Sequence, residues 1–175
     1  MNEDFIIPLN GLPVGKSFFQ WQAGKEFLDS FENTEIIDAD VRAECQVEKK
    51  TGYFGVDIAL HGVESVPCDR CLDPLDIEVD ETIRLSVKFT SQPSDEGMTS
   101  EGGREILCVS TQDDFLDLRQ IVYDTICLAI PMVKTHPEGE CNPDVVRFLS
   151  KDDQVEAPQE GNNPFASLKK MLEGK

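Results

Sequence analysis

The chain has 175 residues, enough for one domain with a real core, and nowhere carries the ~18 consecutive apolar residues that a transmembrane helix needs. Its 34 acidic and 16 basic residues give a formal net charge of −18. Such a chain is repelled by phosphate backbones, which makes an extended nucleic-acid contact unfavourable, and it attracts basic proteins.

The opening Met1-Asn2-Glu3-Asp4 lacks the basic-then-apolar layout of a signal peptide, so a cytoplasmic protein is expected. Six cysteines in that compartment read as thiols or metal ligands, not as disulfides.

In chain order, Phe5-Ile6-Ile7 and Phe18-Phe19-Gln20-Trp21 read as one or two strands around a Gly/Pro turn. Residues 24–32 place Phe27, Leu28 and Phe31 on one face of a short helix. From Ile37 to Val47 apolar and polar residues alternate, the mark of a half-buried strand, with Cys45 on the apolar face. Lys49-Lys50-Thr51-Gly52 reads as a turn, and Phe54, Val56, Ile58 and Leu60 alternate again, with His61 on the solvent face. A third alternation runs from Leu75 to Phe89, and Glu81 interrupts its apolar face, where a β-bulge is expected.

Residues 91–103 read as a loop, and Ile106 to Val109 as a further strand with Cys108 packed. Asp117-Leu118-Arg119-Gln120 has the spacing of a capping box. Leu118, Ile121, Val122, Thr125, Leu128 and Ala129 then form the stripe of the main helix, which Pro131 ends. The expected fold class is α+β: an antiparallel meander of three long amphipathic strands plus shorter ones, packed by one main helix. The expected organisation is one domain over 1–150, an acidic linker over 151–162 and a helical tail over 163–175. The tail presents Phe165, Leu168, Met171 and Leu172 as a short apolar stripe, a candidate contact for a partner.

The chemistry-bearing motif is Pro67-Cys68-Asp69-Arg70-Cys71-Leu72-Asp73-Pro74, a C-x2-C in a turn between the second and third alternating segments. Downstream, His136 and Cys141 complete C-x2-C … H-x4-C, whose thiolate and imidazole donors suit tetrahedral zinc. Three readings of the cysteines compete: zinc at Cys68, Cys71, His136 and Cys141, reduced structural thiols, or a redox pair. The last is disfavoured because redox C-x2-C motifs precede a helix, whereas this one precedes a strand. Gly-rich phosphate loops, H-E-x-x-H and G-x-S-x-G are all missing from the sequence, so neither an enzyme nor a small-molecule substrate is expected.

The motifs Val66-Pro67-Cys68-Asp69-Arg70-Cys71-Leu72-Asp73-Pro74 and Asp117-Leu118-Arg119-Gln120-Ile121-Val122 occur in a particular order with others. They are followed by Leu128-Ala129-Ile130-Pro131-Met132-Val133-Lys134-Thr135-His136-Pro137-Glu138, Cys141, and Asn163-Pro164-Phe165-Ala166-Ser167-Leu168-Lys169-Lys170. Together, from about residue 66 to 172, they resemble the bacterial YceD family of large ribosomal RNA subunit accumulation proteins. The resemblance implies a non-catalytic ribosome-biogenesis factor supporting accumulation of 23S ribosomal RNA. Taken with the acidic charge, the expected partner is a basic large-subunit ribosomal protein or a pre-ribosomal particle, with only a small RNA contact available through Lys169, Lys170 and Lys175. Members of that family often carry a second cysteine cluster where this chain has His136 and Cys141. The alternative is a zinc- or redox-responsive regulatory protein with no ribosomal client.

Overall fold

The computed structural model describes residues 5–50, 53–90, 99–101 and 103–152. Among them, β1 (Ile6–Pro8), β2 (Gly15–Gly24), α1 (Lys25–Asp29), β3 (Asp38–Lys50), β4 (Tyr53–Pro67) and β5 (Pro74–Thr90) come first. Then follow β6 (Thr99–Glu101), β7 (Arg104–Ser110), β8 (Phe115–Asp117), α2 (Arg119–Ala129) and α3 (Pro143–Asp152). The fold is α+β with a mostly antiparallel sheet and few helices.

The three long alternating segments are β3, β4 and β5. They pair in the order of the chain because short turns join them, and β2 adds to β3 at one side. The six-stranded order is β2-β3-β4-β5-β7-β6, with β5 and β7 parallel. β1 and β8 form a separate two-stranded ladder.

Period two decides which side chains enter the core. Val41, Ala43, Cys45 and Val47 from β3, Val56, Ile58 and Leu60 from β4, and Leu85 and Val87 from β5 are all buried. Burial pushes the Cys45 thiol up to about 12, with the Asp57 carboxylate adding to the effect, so Cys45 stays a neutral core residue. His61 lies on the wet face beside Asp80 at 2.9 Å.

An aromatic series runs Phe5 to Phe27 (ring centroids 4.7 Å apart), Phe27 to Phe31 (5.3 Å) and Phe31 to Tyr123 (4.3 Å). It ties the N-terminal strand and α1 to α2. At Gly62 an added Cβ would lie 2.1 Å from the Asp40 carbonyl oxygen, so only glycine lets β4 approach β3 this closely.

Several expectations need correction. The β4–β5 register is continuous through Leu60 opposite Glu81, so no bulge interrupts that ladder; Glu81 is simply solvated. Cys108 is exposed, because it is in register with Lys88 on the wet side of β7. The capping box does not close: Asp117 accepts the Arg119 N–H at 2.9 Å, and Gln120 donates forward to Asp124 at 2.8 Å instead of back. The buried line of α2 is Leu118, Val122 and Ile126, spaced by four, while Leu128 faces solvent. α3 runs from Pro143 to Asp152 and takes in the first two residues of the linker expected over 151–162; the rest of that linker and the tail lie outside the described residues. No helix among the described residues is long and apolar enough to cross a membrane.

Candidate metal centre

The β4–β5 ladder ends with Pro67 opposite Pro74. Neither has an N–H to continue it, so the chain turns there. The turn is closed by Cys68 N–H to the Asp73 carbonyl at 2.9 Å and Leu72 N–H to the Cys68 carbonyl at 2.9 Å. Leu72 adopts φ 63°, the left-handed conformation that completes the reversal.

The second half of the site is brought in by the segment after α2. Asp69 N–H donates to the Lys134 carbonyl at 2.6 Å, and Lys134 N–H donates to an Asp69 carboxylate oxygen at 2.8 Å. The helix α3 then fixes Cys141. The Asn142 side chain accepts the Asp144 N–H at 3.1 Å, and Pro143 occupies the first helical position. Val145 and Val146 of α3 and Leu75 of β5 pack around the cysteines.

All four expected ligands converge: the Sγ atoms of Cys68, Cys71 and Cys141 and a ring nitrogen of His136 lie within 4.8 Å of one another. The Cys68 and Cys141 sulfurs are 4.0 Å apart, and the Cys71 sulfur is 3.4 Å from His136 Nδ1. Zinc bonds of ~2.3 Å to sulfur and ~2.0 Å to nitrogen, in a tetrahedron, set neighbouring ligand atoms roughly 3.5–3.8 Å apart. The donor set therefore fits zinc in type, number and spacing. All six cysteines are free thiols.

The surroundings complete the fit. His136 Nε2 lies 3.1 Å from the Pro74 carbonyl, so an Nε2–H donated there leaves the Nδ1 lone pair facing the sulfurs. Burial opposes ionisation of Cys68, yet the backbone N–H groups of Cys71, Arg70 and His136 and the Cys71 side chain outweigh it and hold the thiol down at about 6. Burial pushes the Cys141 thiol up, reinforced by Cys68 and Cys71. Hydrogen bonding to the Cys68 sulfur raises His136, against its burial. Arg70 donates to the Cys141 sulfur at 3.8 Å and offsets negative charge in the cluster. Four protein donors leave no open position for a reacting water, so a metal here would be structural.

Phe165, Leu168, Met171 and Leu172 lie outside the described residues. The sequence reading did not single out Glu64. It is fully buried on the core face of β4, and neither carboxylate oxygen has a hydrogen-bond partner. Its position, four residues after Leu60 and two before Val66, continues the inward period of that strand, and this parity was the available signal.

These features define an acidic α+β protein whose sheet ends in a Cys3His cluster able to hold a metal ion. The family profile described as large ribosomal RNA subunit accumulation protein YceD matches residues 56–172, and the chain belongs to that family. The match begins in β4 and takes in the whole cysteine turn. No curated protein and no solved structure matches the chain.

Proposed function

We propose that this protein is a non-catalytic ribosome-biogenesis factor that supports accumulation of 23S ribosomal RNA by holding a basic large-subunit protein, or an assembly intermediate containing one. The observation that carries the reading is its membership of a family described by accumulation of large-subunit RNA, in a chain whose net charge of −18 disfavours RNA itself. An acidic surface shields a basic client's charge and speeds encounter with it. In this reading zinc sits at Cys68, Cys71, His136 and Cys141 and stiffens the end of the sheet. Residues 163–172, through Phe165, Leu168, Met171 and Leu172, add a second contact.

The test is an affinity pull-down from growing cells, divided into nuclease-treated and untreated halves, with proteins and RNA identified. Basic large-subunit proteins that stay bound after nuclease support the reading and name the client. Joint loss of RNA and proteins moves the contact to RNA. A second reading, a redox-responsive regulator, is favoured by one observation: the Cys68 thiol is held at about 6, with the Cys141 sulfur 4.0 Å away. In that case mild oxidant changes partner binding, and ribosomal material is missing from both halves.

A further inference from the structure

Six of the eleven large hydrophobic side chains exposed on the described residues lie on the cysteine turn or between Leu128 and Leu149. Three of these are Leu72, 73% exposed, Met132, 101%, and Val133, 71%. Leu72 is also held at φ 63°, a region that costs a leucine energy and that asparagine or glycine would occupy more easily. A strained residue that points its apolar side chain into water calls for a role outside the chain. Met132 and Val133 immediately precede Lys134, and the paired hydrogen bonds between Asp69 and Lys134 join their segment to the turn that carries Leu72. Exposed Asp73, Glu138 and Glu140 lie on the same two segments.

We propose that Leu72, Met132 and Val133, rimmed by Asp73, Glu138 and Glu140, form the docking surface for a basic segment of a large-subunit ribosomal protein, one that carries apolar side chains between its lysines and arginines. The inference rests on the basic-client reading above and names where that client sits. The carboxylate rim steers and orients the cationic segment, while the three apolar side chains set how long it stays. The cluster behind the surface holds it in shape before the partner arrives, which lowers the entropic cost of binding. Carboxylates around an apolar centre are a poor match for phosphates, so RNA is the disfavoured occupant.

The test uses the full-length, zinc-loaded chain, titrated with individual basic proteins extracted from purified large ribosomal subunits and read by fluorescence anisotropy. At least one should bind the wild type. Combining Leu72→Asn with Met132→Ser should weaken that binding at least tenfold. Val14→Ser, an equally exposed apolar change on the β1–β2 connection, should leave it unchanged. Asparagine tolerates the left-handed conformation, so zinc content and melting should be preserved; Met132→Ser alone serves as the test if they are not. Equal binding by wild type and variants overturns this surface but leaves the basic-client reading standing. If none of the extracted proteins binds, both fall. Binding of protein-free 23S RNA that the same variants weaken assigns the surface to RNA and also overturns the proposal.

Discussion

Asp69 and Lys134 are bonded to each other twice: Asp69 N–H to the Lys134 carbonyl at 2.6 Å, and Lys134 N–H to the Asp69 side-chain carboxylate at 2.8 Å. The Lys134 ammonium lies 3.9 Å from the other carboxylate oxygen. This clasp aligns the cysteine turn with the segment that supplies His136, without calling on the metal. Asp69→Ala should therefore cost about 1–2 kcal/mol of stability by leaving the Lys134 N–H without its acceptor. It should also weaken zinc binding roughly tenfold, as expected for a residue that orients ligands. Chelator competition, run with thermal melts, checks both effects.

Protein purified without chelator should carry about one zinc per chain. Cys68→Ser should reduce that content, and chelation should lower the melting temperature. Metal-free protein whose stability chelation leaves unchanged would sink the metal reading. Elemental analysis by mass spectrometry, paired with calorimetry, gives the answer.

Glu64 predicts a pH dependence separate from that of the four clustered residues. Burial pushes its carboxyl up to about 7, above its ordinary value of 4.5, so the folded state holds a proton that the unfolded state releases. The stability it allows is fully present below about pH 4.5 and is lost as pH rises through 7. Glu64→Gln removes the ionisation. Its advantage over wild type should grow from near zero at pH 5 to about 2 kcal/mol at pH 8. Denaturant melts of both zinc-loaded proteins across this range check the sign. A constant difference at all pH values rules the mechanism out.

Gly62→Ala should be among the most damaging single substitutions in the sheet. The new methyl would meet the Asp40 carbonyl at 2.1 Å, and backbone on both sides must shift to accept it. A loss of about 3 kcal/mol or more is expected, measured as a fall in denaturant midpoint. Preserved stability would mean that β3 and β4 can separate at this point without penalty.

Asn142→Ala should cost about 1 kcal/mol through loss of the α3 cap. Because Cys141 directly precedes that cap, zinc affinity should fall as well, which separates this variant from a cap change at a helix remote from the cluster. Zinc titration of the two variants side by side makes the comparison.

The long strands were legible because period two repeats from Ile37 to Val47 for β3, from Phe54 to Leu60 for β4 and from Leu75 to Phe89 for β5. The clustering of Cys68, Cys71, His136 and Cys141 was legible because C-x2-C and H-x4-C are ligand spacings and the chain has only two histidines. α3 was missed although Asn142-Pro143-Asp144 has the composition of a helix start; no element was assigned between Cys141 and the expected linker. The covered face of α2 was read correctly at Leu118, Ile121, Val122 and Ala129 but wrongly at Leu128, because apolar residues lie on more than one side of that helix. Only packing on the sheet selects Ile126 over Leu128. Glu64 obeys the strand's parity and defies its chemistry, so residue type pointed outward while the backbone turned it in. Cys108 shows the converse, a small apolar residue that the register leaves beside Lys88 in solvent.

The cluster joins parts of the chain that are made at very different times. Cys71 and His136 are 65 residues apart and Cys68 and Cys141 are 73 apart, whereas the hairpins of β3, β4 and β5 close through short turns. Local hairpins have small loops to close and can form early; the ligand set has a long one and forms late. During synthesis, the cysteine turn emerges with only half its donors, and the ion cannot be fully coordinated until translation has passed Cys141. Closure of the cluster therefore depends on synthesis having passed Cys141, long after the sheet's local hairpins are available to pair.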